Sequence, residues 1–271
     1  MNGASREALA AARERLDALT DSTSADAGSL AEELAAVTAL LHREVSLRRV
    51  LTDPAQDGGT KADLVRRLLG TQLSGAAADL VSGMVRSRWS QPRDLVDALE
   101  ELADLADLTA AQKAGALDSV EDELFRFGRI LSANNDLRAA LTDRKATAPA
   151  KSELLNSLLG RRADATTARL VTRLVSAPRG RSLEAGLQSL SKLAADRRNR
   201  MVAVVTSAVP LSDPQKQRLG AALAKLYGRA MHLNLDVDPA VVGGMRVQVG
   251  DEIINGSLAD RLEDASRRLA G

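Results

Sequence analysis

Apolar residues in the first two thirds of the chain recur at helical intervals. Leu30, Leu34, Val37 and Leu41 form one stripe, and Leu117, Val120, Leu124, Phe127 and Leu131 form another. Steps of three and four residues place each set on a single helix face. Shorter helices are predicted around Leu64 to Leu69 and Leu80 to Val85, then a longer one from Asp94 to Leu105. Ahead of these, an amphipathic helix carries Leu9, Leu16 and Leu19 on one side. The connecting stretches, Thr52 to Thr60 and Thr142 to Ala150, contain proline and small residues that interrupt helices. Residues 1 to about 197 therefore read as all-helical.

This helical part repeats itself. A displacement of ninety positions superimposes Leu47, Arg48, Leu51, Thr52 and Asp53 on Leu137, Arg138, Leu141, Thr142 and Asp143. It also brings Lys61, Leu64, Leu68, Leu69 and Gly70 onto Lys151, Leu154, Leu158, Leu159 and Gly160, and Ala78, Leu80, Val81 and Val85 onto Ala168, Leu170, Val171 and Val175. With a two-residue adjustment, Leu95, Leu99, Leu102 and Leu105 match Leu183, Leu187, Leu190 and Leu193. Leucine and alanine could coincide by composition alone, but the Thr-Asp pair and the Lys and Gly positions coincide too. Two copies are too few for a solenoid, so duplication of a helical domain is the better reading.

Beyond Arg200 the pattern changes to that of strands. Met201 to Thr206 is a β-branched run, and His232 to Val237 alternates through Leu233, Leu235 and Val237. Val241 to Val249 continues in the same style, interrupted at Gly243 and Gly244. A helix between the first two strands is predicted to begin at Ser212, which has capping-box spacing to Gln215. A last helix is predicted after Gly256, with Ser257 as its N-cap and Leu258, Leu262, Ala265 and Leu269 on one face. The expected class is α+β: helical bundles with partial internal duplication at 1–109 and 110–200, then a small α/β domain at 201–271.

Composition narrows the function. The 271 residues include only Trp89, Tyr227, Phe125 and Phe127 as aromatics, so Leu, Ala and Val must fill the core. There is no cysteine, which removes disulfides and thiolate metal sites. The 37 basic and 36 acidic residues nearly cancel, leaving no overall field to attract nucleic acid or anionic lipid. No apolar run resembles a signal peptide or approaches the ~20 residues of a membrane span, so membrane association is expected only through a partner.

Candidate chemistry is sparse. Gly58-Gly59-Thr60-Lys61 has the wrong order for a phosphate cradle, and no Gly-x-Gly-x-x-Gly surrounds Gly243-Gly244. His42 and His232 lie in different sequence units and read as surface residues. Most acidic residues read as solvated helix faces opposite the leucine stripes. The basic runs lack interleaved aromatics apart from Trp89, which disfavours nucleic-acid binding. The run Asp196 to Arg200 reads as a cationic cap on a helix C-terminus. No catalytic, cofactor or metal site is expected.

The most specific pattern lies in the last third. It comprises Ala221 to Arg229, His232-Leu233-Asn234-Leu235-Asp236-Val237-Asp238-Pro239, and Val242-Gly243-Gly244 through Asp251-Glu252-Ile253-Ile254-Asn255-Gly256-Ser257-Leu258, ending at Arg261-Leu262. This order resembles the carboxy-terminal signature of ATP synthase delta subunits, called OSCP in mitochondria. Leu51-Thr52-Asp53-Pro54 and the arginine-containing turn before Pro92 resemble that family's amino-terminal domain more weakly. The family usually has one six-helix bundle and a small α/β unit, so the ninety extra residues imply an added, partial helical copy.

The resemblance implies a non-catalytic stator subunit of the F-type proton-translocating synthase. Its helical bundle would grip the amino-terminal helices of the alpha subunits, and its carboxy-terminal part the b-subunit stalk. It would lie at the cytoplasmic face of the cell membrane, peripherally, as part of the complex. Helix-in-groove docking calls for an apolar stripe, and the candidates are Leu9 and Leu16 on the first helix with Leu80, Val81, Met84 and Val85 on a later one. The same stripes could serve as bundle core. The competing class is a helical scaffold unrelated to ATP synthase, which would leave the carboxy-terminal pattern unexplained.

Overall fold

A computed structural model of the chain describes residues 2–21, 25–143, 145–160, 162–198, 201–228, 231–239, 241, 244–249 and 252–255. It divides into two compact units, Met1–Arg197 and Arg198–Gly271. The first contains α1 (Gly3–Asp21), α2 (Ala27–Arg43), α3 (Val45–Thr52), α4 (Gly58–Leu69), α5 (Gly75–Arg86), α6 (Pro92–Lys113), α7 (Leu117–Ala133), α8 (Asn135–Thr142), α9 (Ala148–Leu159), α10 (Ala165–Ser176) and α11 (Leu183–Arg198). The second contains β1 (Met201–Ser207), α12 (Asp213–Tyr227), β2 (Met231–Val237), β3 (Met245–Val249) and β4 (Glu252–Asn255). The class is α+β.

The sequence repeat is also a structural one. The bounds of α7 to α10 are those of α2 to α5 moved by ninety residues. Side-chain caps recur at the same offset: Asp57 accepts the Thr60 amide at 3.0 Å, and Thr147 accepts the Ala150 amide at 3.4 Å. A cross-helix latch recurs with them. Glu33 on α2 accepts from the amide and hydroxyl of Ser74, while its counterpart Glu123 accepts from the Asp164 amide and the Thr167 hydroxyl. Such bonds satisfy amides that a helix start leaves without intrahelical partners. The eight-residue helices α3 and α8 are additions to the expected elements. Each follows a break at a non-glycine, non-proline residue, Glu44 or Asn134, where sequence carries little warning.

Two apolar cores follow from the duplication. Leu34, Leu41, Leu51 and Leu80 belong to the first, and their counterparts Leu124, Leu131, Leu141 and Leu170 to the second. Helix α6 serves both, since Leu95, Leu99 and Leu102 fill the first core while Leu108 and Ala111 enter the second. The offset explains why: α1 moved by ninety residues falls on α6, as α6 moved by about ninety falls on α11. Helix α6 therefore closes one six-helix bundle and opens the next. Where α11 meets α10 the approach is so close that a Cβ on Gly186 would clash with a methyl of Leu174.

In the second unit the strand order is β2-β1-β3-β4, with β1 parallel to β2 and antiparallel to β3, and β3 antiparallel to β4. Alternation buries Ala203, Val205, Val247 and Val249 on one face, where Leu223 of α12 joins them. Gln215 Oε1 accepts from both the Ser212 amide and hydroxyl at 2.8 Å, so the predicted helix start is present. Gly228, at φ 66°, ends α12 in the left-handed region that glycine tolerates. The predicted strand from Val241 begins only at Met245. Gly243 and the predicted helix after Gly256 lie outside the described residues.

Candidate functional site

Helices α1 and α5 pack side by side in the first bundle, and the six candidate contact residues sit between them and the core. Leu9, Leu16, Leu80, Val81, Met84 and Val85 are all buried there. The opposite faces of the same helices are small and open. Arg15 on α1 meets Asp79 on α5 at 2.6 Å across the seam, with both side chains about half exposed. Residues one helical turn away point the same way. These are Ala11 and Ala18 beside Arg15, with Ala4 further along, and Gly75, Ala76 and Gly83 beside Asp79. A Cβ added at Gly83 would meet no atom within 4 Å. The result is a shallow channel floored by alanine and glycine, which lets another helix backbone approach closely. Trp89 lies buried past the end of α5, its indole nitrogen donating to the Met84 carbonyl at 2.7 Å.

The corresponding pair in the second bundle, α6 and α10, has different chemistry. Arg169 Nε donates to Asp107 at 2.9 Å, and Arg173 reaches both Asp104 and Asp107 at 2.7 Å. The loop after α10 delivers Arg179 and Arg181 to Glu100, with Arg179 also 3.1 Å from Asp97. Arg179 holds φ 48°, a conformation bulky residues seldom adopt, and burial pushes its guanidinium down to about 10. Glu100, Asp104 and Asp107 are buried, which corrects the expectation that acidic residues here line solvated faces. Helix α6 has neighbours on more than one side, so its acidic stripe faces protein and is matched by arginines. Arg197 likewise is no helix-end cap: it is buried, donating to Asp17 on α1 and Gln112 on α6.

Burial pushes the Asp104 carboxyl up to about 6, against the pull of Arg173. A carboxyl whose folded pKa exceeds its unfolded one favours folding when protonated, so stability falls as pH rises through the range from 3.8 to about 6. Replacing Asp104 with asparagine should remove that trend. In urea denaturation, the advantage of wild type over Asp104→Asn should shrink between about pH 4 and pH 7. A pH-independent difference would contradict this assignment.

Other chemistry is thin among the described residues. Gly58 opens α4 behind its cap Asp57 and forms no phosphate loop. His42 is exposed on α2, and the His232 side chain lies outside the described set. No group of His, Cys, Asp or Glu among the described residues could hold a metal ion, and no described helix is long and apolar enough to cross a membrane.

Comparison with known proteins agrees with a non-catalytic reading. The family model described as ATP synthase delta (OSCP) subunit matches residues 105–269. ATP synthase subunit delta of Streptomyces coelicolor is 82% identical, over 100% of this chain and 98% of its own length. The proteins of the same name from Thermobifida fusca and Kineococcus radiotolerans are 48% and 46% identical, each over at least 98% of both chains. A chain in a Toxoplasma gondii mitochondrial ATP synthase hexamer covers 62% of this one at 20% identity and a TM-score of 0.27, too loose a superposition to place any residue. With the family model spanning more than half the chain and full-length relatives this similar, the chain belongs to the ATP synthase delta (OSCP) family, a non-catalytic component of the synthase's peripheral stalk.

Proposed function

We propose that the open channel along α1 and α5 receives the amino-terminal helix of an alpha subunit, and that the unit from residue 201 holds the b-subunit end of the stalk. The observation that carries the first contact is the row of exposed alanine and glycine on both sides of the Arg15–Asp79 pair. In this reading Leu9, Leu16, Leu80, Val81, Met84 and Val85 act from inside, fixing α1 and α5 at the spacing the incoming helix needs. Residues 1–109 are then the gripping copy, 110–200 the added helical copy and 201–271 the stalk-binding domain. The protein sits at the cytoplasmic face of the membrane, held there by the rest of the complex. Each contact can be modest, because linked contacts raise effective affinity steeply.

Trp89, the single tryptophan, is buried past the end of α5 and bonded to the Met84 carbonyl, so a helix docked along α5 would be read through it. Titrating the full chain with a synthetic peptide of the cognate alpha-subunit amino terminus should give a saturable change in its fluorescence. A peptide that binds with no effect on Trp89, or fails to bind, would remove the first contact from this account.

A further inference from the structure

We infer that the second helical copy is barred from gripping a helix as the first does, so that the chain accepts one alpha-subunit helix despite carrying two bundles. The inference rests on the head-contact reading above. It runs against the simplest use of sequence, since the family match begins inside α6 and follows the second copy.

The obstruction comes from both walls of the equivalent channel. On the α6 side, Ala4 and Ala11 of the first copy become Asp94 and Glu101. These do not face an open channel, because α1 lies over them. Ser5 donates to Asp94 at 2.7 Å, and Arg13 is ion-paired with Glu101. Leu105, the counterpart of Arg15, is buried in the first core. The shared helix has thus spent its outer face on the neighbouring bundle.

On the α10 side the floor itself is filled. Gly83, with open space above it, corresponds to Arg173, whose guanidinium is clamped between Asp104 and Asp107. Asp79, half exposed in its pair with Arg15, corresponds to Arg169, paired with the fully buried Asp107. An incoming helix would have to displace a desolvated charge network, and leaving buried charges unpaired is strongly unfavourable. Among the described residues nothing comparable stands in the first channel, where the exposed Arg15–Asp79 pair gives way at little cost.

The test is a calorimetric titration of the full chain with the alpha-subunit amino-terminal peptide, which counts sites. One equivalent is expected. Gly83→Arg, which gives the first channel the second copy's floor, should weaken binding at least tenfold with an unchanged circular dichroism spectrum. Ala11→Glu should act the same way from the opposite wall. Ala165→Arg, at the exposed second-copy counterpart of Gly75, should leave the titration as in wild type. Two equivalents in wild type, a full-affinity site surviving both Gly83→Arg and Ala11→Glu, or a comparable loss in Ala165→Arg would overturn the inference. A wild-type chain that takes up no peptide would instead defeat the head-contact reading itself, and this inference with it.

Discussion

Replacing Arg173 with methionine should destabilise the helical unit by about 3 kcal/mol at neutral pH, the low end for breaking a buried ion pair. Among the described residues Arg173 alone is bonded to both Asp104 and Asp107, and methionine keeps its bulk while removing the charge. The loss stays at the low end because Arg169 still meets Asp107. It should shrink towards pH 5, where Asp104 can take a proton and cease to need a cation. Combining Arg173→Met with Asp104→Leu should recover much of the stability, since apolar substitution of both partners relieves the desolvation penalty. Urea denaturation followed by helical circular dichroism at both pH values measures the two variants against wild type. A destabilisation below about 1 kcal/mol for Arg173→Met would mean the network is solvated and not a lock.

Deleting residues 201–271 should leave a folded helical protein that no longer attaches to the stalk. The first unit is compact by itself, with two cores to which no described residue beyond 200 contributes. The truncated chain should therefore unfold cooperatively, with its helical signal kept. Affinity for the b subunit should fall by at least about a hundredfold, the scale on which a linked contact acts. Alpha-subunit peptide binding should persist. Full b-subunit affinity in the truncated chain would move the stalk contact into the bundles.

Much of this architecture was legible because the repeat preserved residues whose roles are local. Leu51 and Leu141, or Leu80 and Leu170, hold equivalent core positions, and the Thr-Asp pair ends α3 and α8 alike. The capping box at Ser212 was readable for the same reason: its partners lie three residues apart. The candidate contact stripes were less tractable. Leu16 and Val81 have the spacing of an amphipathic face, but spacing cannot say whether the apolar side meets core or partner, and here it meets core. The side that remains open sets alanine and glycine around the Arg15–Asp79 pair, which leaves no hydrophobic signature. Glu100, Asp104 and Asp107 were unreadable as buried because their partners stand 62 to 81 residues away in sequence. The one available hint was α6 itself, whose leucines and alanines are spread too widely for a single buried face.

The shared helix also sets how the two bundles transmit force. Pro92–Lys113 is a continuous 22-residue rod, roughly 33 Å long at the usual helical rise, and each end is embedded in a different core. Bundles joined by a flexible tether would swing apart under twist and dissipate it as slack. Bundles built on a common strut can yield only by bending the strut or shearing its packing, so the second copy is joined to the first without a compliant hinge.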